Sequence, residues 1–544
     1  MKQGLRPALF FCATSCLVSL YLGQDNNYDL KNYHLYNAWA LLTGRWSQDF
    51  FAAGPQTFFS PFLDIPYYLV AAELFPSHGA DVVALAGLPY GALLFFIYLI
   101  SERIAGSLEL GEGDRIAFIA ASVLLAGTGA ATWSVIGMTF NEITIAVIIL
   151  AAFHQILIGV TDGGKGPSTR RIAAAGMLLG LATGLKLTAA IHVPPMAVVI
   201  LSVAQGWRSK VRGLIVFGCC VSAVFVATYG PWGWKLCELT GNPFFPLFNG
   251  VFHSDWMTST NIRDARFLPK SWLQWLFYPF YWTTLQSSLV TEVPFRDARL
   301  AIAYVFVAVY LTIVLTSKDL RTKVFLGRYR SLHVLVLFFV LSYVVWLYEF
   351  SIFRYLVATE CLAGIFIIGA MITVVRKLGR RAAWIPALCV ISFTGLIIGY
   401  SVSPQWGRAP AGTDVFAVQA PEFDHGSLLI FCDASMSFLA PGLAATNQGV
   451  RFMTIPRGFA KWEELLGADG FRHELGRRMK AKIDEHAASL YVLFDTSNPP
   501  PKPDLAPFDV EMDMTSCREG NSSLGAEFLV CRGIYRKGRP AIPR

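Results

Sequence analysis

Charge is scarce in this chain: 15% of its 544 residues are Asp, Glu, Lys or Arg, against 54% hydrophobic, with a mean hydropathy of +0.48. That balance excludes an ordinary soluble protein of this length and implies an integral membrane protein. Neither a Rossmann fingerprint nor a P-loop is present, so neither of these nucleotide-binding devices is available. No internal repeat is visible, which weighs against repeat-built transporters. The ten cysteines show no metal-ligand spacing, and Cys12, Cys16, Cys219, Cys220, Cys361 and Cys389 fall in apolar runs where small-residue packing accounts for them. No small-residue cleavage site follows the first apolar run, so it is expected to stay as an anchor rather than be removed. The net charge of +8 calls for no nucleic acid, because Lys and Arg collect in short links between apolar runs.

What is present is a succession of such runs. A spanning helix needs roughly 20 apolar residues, and candidates lie near 7–23, 80–101, 116–136, 140–160, 212–230, 298–316, 331–349, 355–375 and 382–400. Residues 172–205, broken at Lys186 and Pro194-Pro195, read as a hairpin of two short helices. Residues 61–76 form a short run that spans, re-enters or lies against the membrane. The expectation is an all-α polytopic bundle of about 11–13 transmembrane helices over residues 1–402. Basic links at Lys2 and Arg6, at Lys165 to Arg171, at Arg208 to Arg212, at Lys318 to Arg330 and at Arg376 to Arg381 are expected to be cytoplasmic. The loops 24–60 and 231–297, the link Tyr348 to Arg354 and everything after Tyr400 then face outward.

From residue 403 the composition turns mixed and charged. Strand-like runs at Ser427 to Phe431, Leu490 to Phe494 and Glu527 to Cys531, with helical spacing over Lys461 to His486, predict a small extracytoplasmic α/β domain over 403–544. Pro499 to Pro503 reads as a stiff turn. Cys517 and Cys531 are expected to pair if that compartment is oxidising, leaving Cys432 over.

The first outer loop concentrates Asp25, Asp29, Asp49 and Asp64 with Lys31, His34, Arg45 and many aromatics beside the bilayer, where acids are costly unless they serve a purpose. Its stretch Tyr28-Asp29-Leu30-Lys31-Asn32-Tyr33-His34-Leu35-Tyr36, followed by Ala40 to Arg45 and Asp49, resembles the GT-C superfamily of membrane glycosyltransferases. Members place an essential acid in this loop and take sugar from a polyprenyl-phosphate carrier. Many carry two adjacent acids there, whereas here Leu30 follows Asp29. The resemblance implies a GT-C-like fold over about residues 1–400.

Independently of the resemblance, glycosyl transfer to a hydroxyl needs a base, and a carboxylate such as Asp29 suits. The alternative is that Asp29 caps the helix beginning near Asn32. His34, Arg45 and Asp64 are candidate substrate contacts from the same loop, with packing or capping as the bland readings. Lys186, an isolated cation in Gly184-Leu185-Lys186-Leu187-Thr188, suits a lipid phosphate; otherwise it snorkels at the hairpin tip. Arg354 is placed to meet that phosphate from the opposite side, or else pairs with Glu349 or Glu360. Arg263, with Arg266, binds phosphate or forms salt bridges to Asp264, Glu292 or Asp297. Glu142 with Asn141 reads as a helix-start acid. Trp272, Trp275, Phe277, Tyr278, Phe280, Tyr281 and Trp282 read as an interfacial belt.

The expected function is transfer of a sugar from a polyprenyl-phosphate donor to a lipid, glycan or protein acceptor at the outer face. The expected location is the bacterial inner membrane, with the C-terminal domain in the periplasm or outside. Membrane lipid is an expected partner and nucleic acid is not; no cofactor is identified, and assistance by a divalent cation stays open. A transporter or flippase for a lipid-linked solute, or a non-catalytic envelope-polysaccharide assembly protein, remain the alternatives.

Overall fold

The structure is a computed structural model describing residues 2–162, 166–284, 288–316, 327, 329–378, 385–432, 435–455, 473–496 and 505–536. The expected turn at Pro499 to Pro503 and several of the basic links, among them Lys165 and most of Lys318 to Arg330, lie outside the described residues, as does the first half of the helix expected over 461–486.

The first 400 residues form a helical bundle, and the chain is an integral membrane protein. Seven described helices are long and apolar enough to cross a membrane: Leu5–Leu22, Gly79–Ser107, Glu142–Thr161, Trp207–Thr240, Arg299–Thr316, Arg330–Glu349 and Phe353–Ile372. Shorter helices, Glu112–Gly127, Thr169–Leu185, Val193–Val203 and Ile385–Tyr400, pack among them. At 1.5 Å per residue a 16-residue helix reaches only about 24 Å, so length alone gives fewer spans than the apolar runs promised. The run 116–136 is not one helix: it stops at Gly127 and resumes as Ala130–Ser134. The run 61–76 is a single α-turn, Ile65–Tyr68, passing into a π-helical turn, Leu69–Leu74.

Glycines set one packing decisive for the site. Gly176, Gly180 and Gly184 recur every fourth residue along Thr169–Leu185, giving a side-chain-free face. A Cβ at Gly176 would sit 2.8 Å from the Phe217 carbonyl oxygen, and one at Gly184 would sit 2.7 Å from the Thr228 Cβ. The long helix Trp207–Thr240 therefore lies directly on this stripe and fixes the height at which the shorter helix ends, which is Lys186. Beyond Lys186 the chain winds as a 3-10 turn, Leu187–His192, and then Val193–Val203, which is the broken hairpin expected of 172–205.

The outer domain holds a six-stranded sheet in the order β3 (Val418–Gln419), β7 (Val510–Ser522), β8 (Glu527–Tyr535), β6 (Leu490–Asp495), β4 (Leu428–Phe431), β5 (Arg451–Thr454). β4 pairs in parallel with both β5 and β6, and the remaining pairings are antiparallel. The parallel strands are nearly continuous apolar runs because both faces are covered. Leu428, Ile430, Met453 and Val492 pack on Leu475, Met479 and Ile483 of the helix Glu474–Asp484. Leu429, Phe431, Phe452 and Leu493 instead share a core with Leu35, Tyr36 and Trp39 of the first outer loop. Cys517 and Cys531 are joined by a disulfide between β7 and β8, and Cys432 is free and buried.

The first loop is thus built into the outer domain. β1 (Gln24–Asp25) pairs with β2 (Arg408–Ala409), Phe50 bridges to Met453, and the Phe50 amide donates to the Phe452 carbonyl at 3.0 Å. A loop fixed along one side by a sheet is a firmer support for chemistry than a free one.

Candidate active site

Asn27 is the residue that organises the start of the first loop. Its side-chain oxygen accepts from the Leu30 amide at 2.8 Å, and its backbone oxygen accepts from Lys31 at 3.3 Å. These bonds cap the π-helical turn Leu30–His34, so Asp29, the residue just before it, makes no capping bond. Asp25 is spoken for as well: it accepts from the Asn27 amide at 2.9 Å and from the Thr139 amide and hydroxyl at 2.7 and 2.8 Å. Burial pushes the Asp25 carboxyl above its ordinary range against the pull of these donors. Asp29, by contrast, pairs with a cation from across the bundle.

That cation is Arg354, in a 3-10 turn Phe353–Leu356 at the start of a spanning helix. Its Nη2 lies 3.4 Å from Asp29 Oδ2 and its Nε 3.5 Å from Glu142 Oε1. The guanidinium lies against aromatic rings, 4.7 Å from the Phe140 centroid and 5.9 Å from that of Trp406, a residue of the segment leading to the outer domain. The expected alternative, a pair with Glu349 or Glu360, does not form: Glu360 accepts from the Ala131 and Thr132 amides at 3.1 and 2.9 Å instead.

Lys186 completes the cluster. The helix before it ends there, its backbone turns extended, and its ammonium donates to the Phe140 carbonyl at 2.8 Å and to Glu142. Glu142 therefore bridges both cations from the first turn of its helix, held there by Asn141 in a left-handed conformation (φ 62°). It is a central member of the cluster rather than merely a helix-start acid. The signal in the sequence was positional: an acid at the same end of the bundle as Lys186 needs a partner, and an isolated lysine is one.

Behind this pair of acids and pair of bases stand His34 and Asp64. His34 Nδ1 and Asp64 Oδ1 are 2.8 Å apart, and Asn141 Nδ2 donates to the same oxygen at 3.0 Å. Burial raises the Asp64 carboxyl above its usual range, with His34 and then Lys186 opposing that shift. Tyr33, whose ring lies 4.1 Å from His34, is half-buried, and desolvation with the nearby Asp29 charge holds its phenol well above its ordinary value.

Glu142 and Arg354 of the cluster also line a small cavity of about 20 Å³. Glu142, Arg354 and Tyr355 line its charged end; Ile149, Ala189 and Val357 give it apolar walls, and His192 lies deeper. His192 Nδ1 is 3.1 Å from the Ser342 hydroxyl. Two cations beside apolar walls suit an anionic head carried on an apolar group.

The structure brings together Asp29, His34, Asp64, Lys186 and Arg354 of the residues singled out in the sequence. It does not bring Arg45 or Arg263 to them. Arg45 binds Asp49 through Nη2 at 2.7 Å and Nε at 3.1 Å, and also donates to the Val450 carbonyl, clamping the loop to β5. Arg263 is exposed and donates to the carbonyls of Tyr348 and Glu349; Arg266 makes the loop salt bridges, to Asp264 and Glu292. Of the aromatic belt, Trp272, Trp275, Phe277, Phe280 and Tyr281 are exposed, while Tyr278 and Trp282 are buried, with the Tyr278 hydroxyl donating to the Phe267 carbonyl.

No protein-family model and no curated protein sequence matches the chain. Among solved structures, the mycobacterial arabinofuranosyltransferase AftD is similar at a TM-score of 0.50 and 13% identity, over 98% of this chain and 40% of that one. ArnT from Cupriavidus metallidurans is similar in its apo state (TM-score 0.49, 15% identity, 98% of each chain). It is also similar in its complex with undecaprenyl phosphate (0.48, 14%, 96% of this chain and 97% of that). The bundle with its outer sheet domain thus shares the fold of AftD.

Proposed function

We propose that this protein transfers a sugar from a polyprenyl-phosphate carrier to an acceptor hydroxyl, with Asp29 as the base. One observation carries the reading: Asp29, Arg354, Glu142 and Lys186, from four separate segments, join in one run of ion pairs, Asp29 to Arg354 to Glu142 to Lys186, at one end of the bundle. In the reaction the acceptor oxygen attacks the anomeric carbon, the bond from that carbon to the carrier phosphate breaks, and the acceptor proton passes to the Asp29 carboxylate. Lys186 and Arg354 neutralise the charge left on the departing phosphate.

The fold supports the reaction class only as kinship of architecture. The positive-inside pattern of the basic links supports putting this end of the bundle opposite the cytoplasm, and a disulfide in the outer domain suits an oxidising compartment. We therefore assign the reaction to the outer face of a bacterial inner membrane. The test is to incubate the purified protein with radiolabelled polyprenyl-phosphate sugars and follow label leaving the carrier. Asp29→Asn must stop the transfer while still retaining the carrier, and undiminished turnover in that variant removes the base assignment.

A further inference from the structure

A second, larger cleft lies between the first loop and the outer domain, of about 1100 Å³ including space open to solvent. Its enclosed part is about 420 Å³, within the roughly 300–1,000 Å³ of ligand sites. Its floor is Tyr36, whose hydroxyl donates to Asp49 at 2.9 Å, so both polar groups are committed to the scaffold. Its walls are aromatic faces: Trp46, Phe50 and Trp256, with the Phe50 and Trp256 rings 6.2 Å apart. Its rim is the helix Glu474–Asp484 and the residue after it. There Arg478 stacks over Trp256 at 4.8 Å, and the exposed Lys482 and Glu485, one helical turn apart, make no ion pair or side-chain hydrogen bond among the described residues.

We infer that this cleft binds a saccharide, the glycan portion of the acceptor, which deepens and rests on the transferase reading above. Flat aromatic walls suit the C–H faces of pyranose rings, and a rim carrying an unpaired donor and an unpaired acceptor suits their hydroxyls. An isoprenoid chain would leave Lys482 and Glu485 desolvated without partners, which is unfavourable. The position also fits. Tyr36 lies seven residues beyond Asp29 along the same helical segment, roughly 10 Å at 1.5 Å per residue. A glycan held in the cleft thus extends toward the carboxylate without leaving the first loop.

The experiment uses the full chain in detergent on an array of immobilised oligosaccharides, alongside an immobilised peptide library, with Asp29→Asn and the double variant Lys482→Ala/Glu485→Ala. Both rim residues are exposed and without a partner among the described residues, so the double variant is expected to leave the fold and the cavity beside Arg354 intact. The expected result is that wild type and Asp29→Asn retain the same set of glycans and the double variant loses affinity by about tenfold. In turnover, the double variant raises the KM for a retained glycan by a similar factor while donor affinity stays put. No glycan retained, peptides retained instead, or a double variant indistinguishable from wild type overturns the proposal. Glycans retained by a wild-type protein that transfers no sugar would instead overturn the transferase reading and leave the cleft standing.

Discussion

Two charged clusters lie at the ends of helices in this bundle, and they are built to different standards. In one, Arg299 is completely buried and satisfied: Nε donates to the Leu125 carbonyl at 3.0 Å, Nη2 to the Thr128 carbonyl at 2.9 Å, and Nη1 to Ser401 Oγ at 2.8 Å and to Asp297. Glu360 nearby takes the Ala131 and Thr132 amides and the Thr132 hydroxyl. In the other, Arg354 meets its acids only at 3.4 and 3.5 Å, and neither Arg354 Nε nor Glu142 Oε1 has a hydrogen-bond partner among the described residues. Satisfied buried charge holds helices together; buried charge left short of partners is where a ligand gains most by supplying them. The first cluster is a fastener for the break between Gly127 and Ala130, and the second is the candidate site.

Substitutions should separate the two roles. Asp29→Asn is expected to lower the transfer rate by about 10²- to 10⁴-fold, the usual contribution of a positioned base, with thermal unfolding of the detergent-solubilised protein unchanged. A matching drop in stability would mean that the second cluster is also a fastener. Arg299→Met leaves the Asp297 carboxylate buried without its partner, and such losses cost about 3–5 kcal/mol. Its signature is a lowered unfolding midpoint, with the KM for donor in the folded fraction unaltered.

Smaller effects grade the second cluster. Arg354→Ala and Lys186→Ala each remove one cation from the proposed phosphate site, and donor affinity should fall by about tenfold or more, since charge-assisted hydrogen bonds contribute roughly 1.5–3 kcal/mol. Unchanged donor affinity in both refutes the phosphate role. Glu142→Gln runs the other way. Glu142 competes with any anion for both cations, so removing its charge is expected to tighten retention of the carrier phosphate severalfold while slowing its release. Binding of radiolabelled carrier with and without the substitution decides this.

The bundle and the outer sheet were legible because apolar runs of roughly 20 residues, and shorter β-branched or aromatic runs, carry their own period and length. Asp29, Lys186 and Arg354 were legible for a related reason: a charge at the end of an apolar run is expensive enough to demand a purpose. What stayed hidden depends on pairing over long separations. Nothing local announces that Gln24 meets Ala409, or that Arg45 reaches Val450, so Arg45 read as a substrate contact instead of a clamp. Glu142 looked like a helix-start acid because its partner is 44 residues away. The strand Val510–Ser522 escaped because its exposed, charged face breaks the apolar pattern.

The weakest expected effect tests the opposite limit, a charge pair in water. Arg266 donates to Asp264 Oδ1 at 2.8 Å and Oδ2 at 2.7 Å in the loop 231–297, and these bonds hold the Asp264 carboxyl below its usual range. A depressed carboxylate contributes stability above its ordinary pKa near 3.8 and loses that contribution as pH falls through the lowered value. The Arg266 side chain is 66% exposed, however, so solvent and salt screen the pair. Arg266→Ala should therefore cost about 0–1 kcal/mol at neutral pH, less in high salt and nothing in strong acid. Unfolding of the variant and wild type measured across salt and pH checks all three. If Arg266→Ala proves as damaging as Arg299→Met, exposure is not what separates fastener from ornament here, and the ranking by hydrogen-bond satisfaction must be replaced by one based on where each pair sits in the fold.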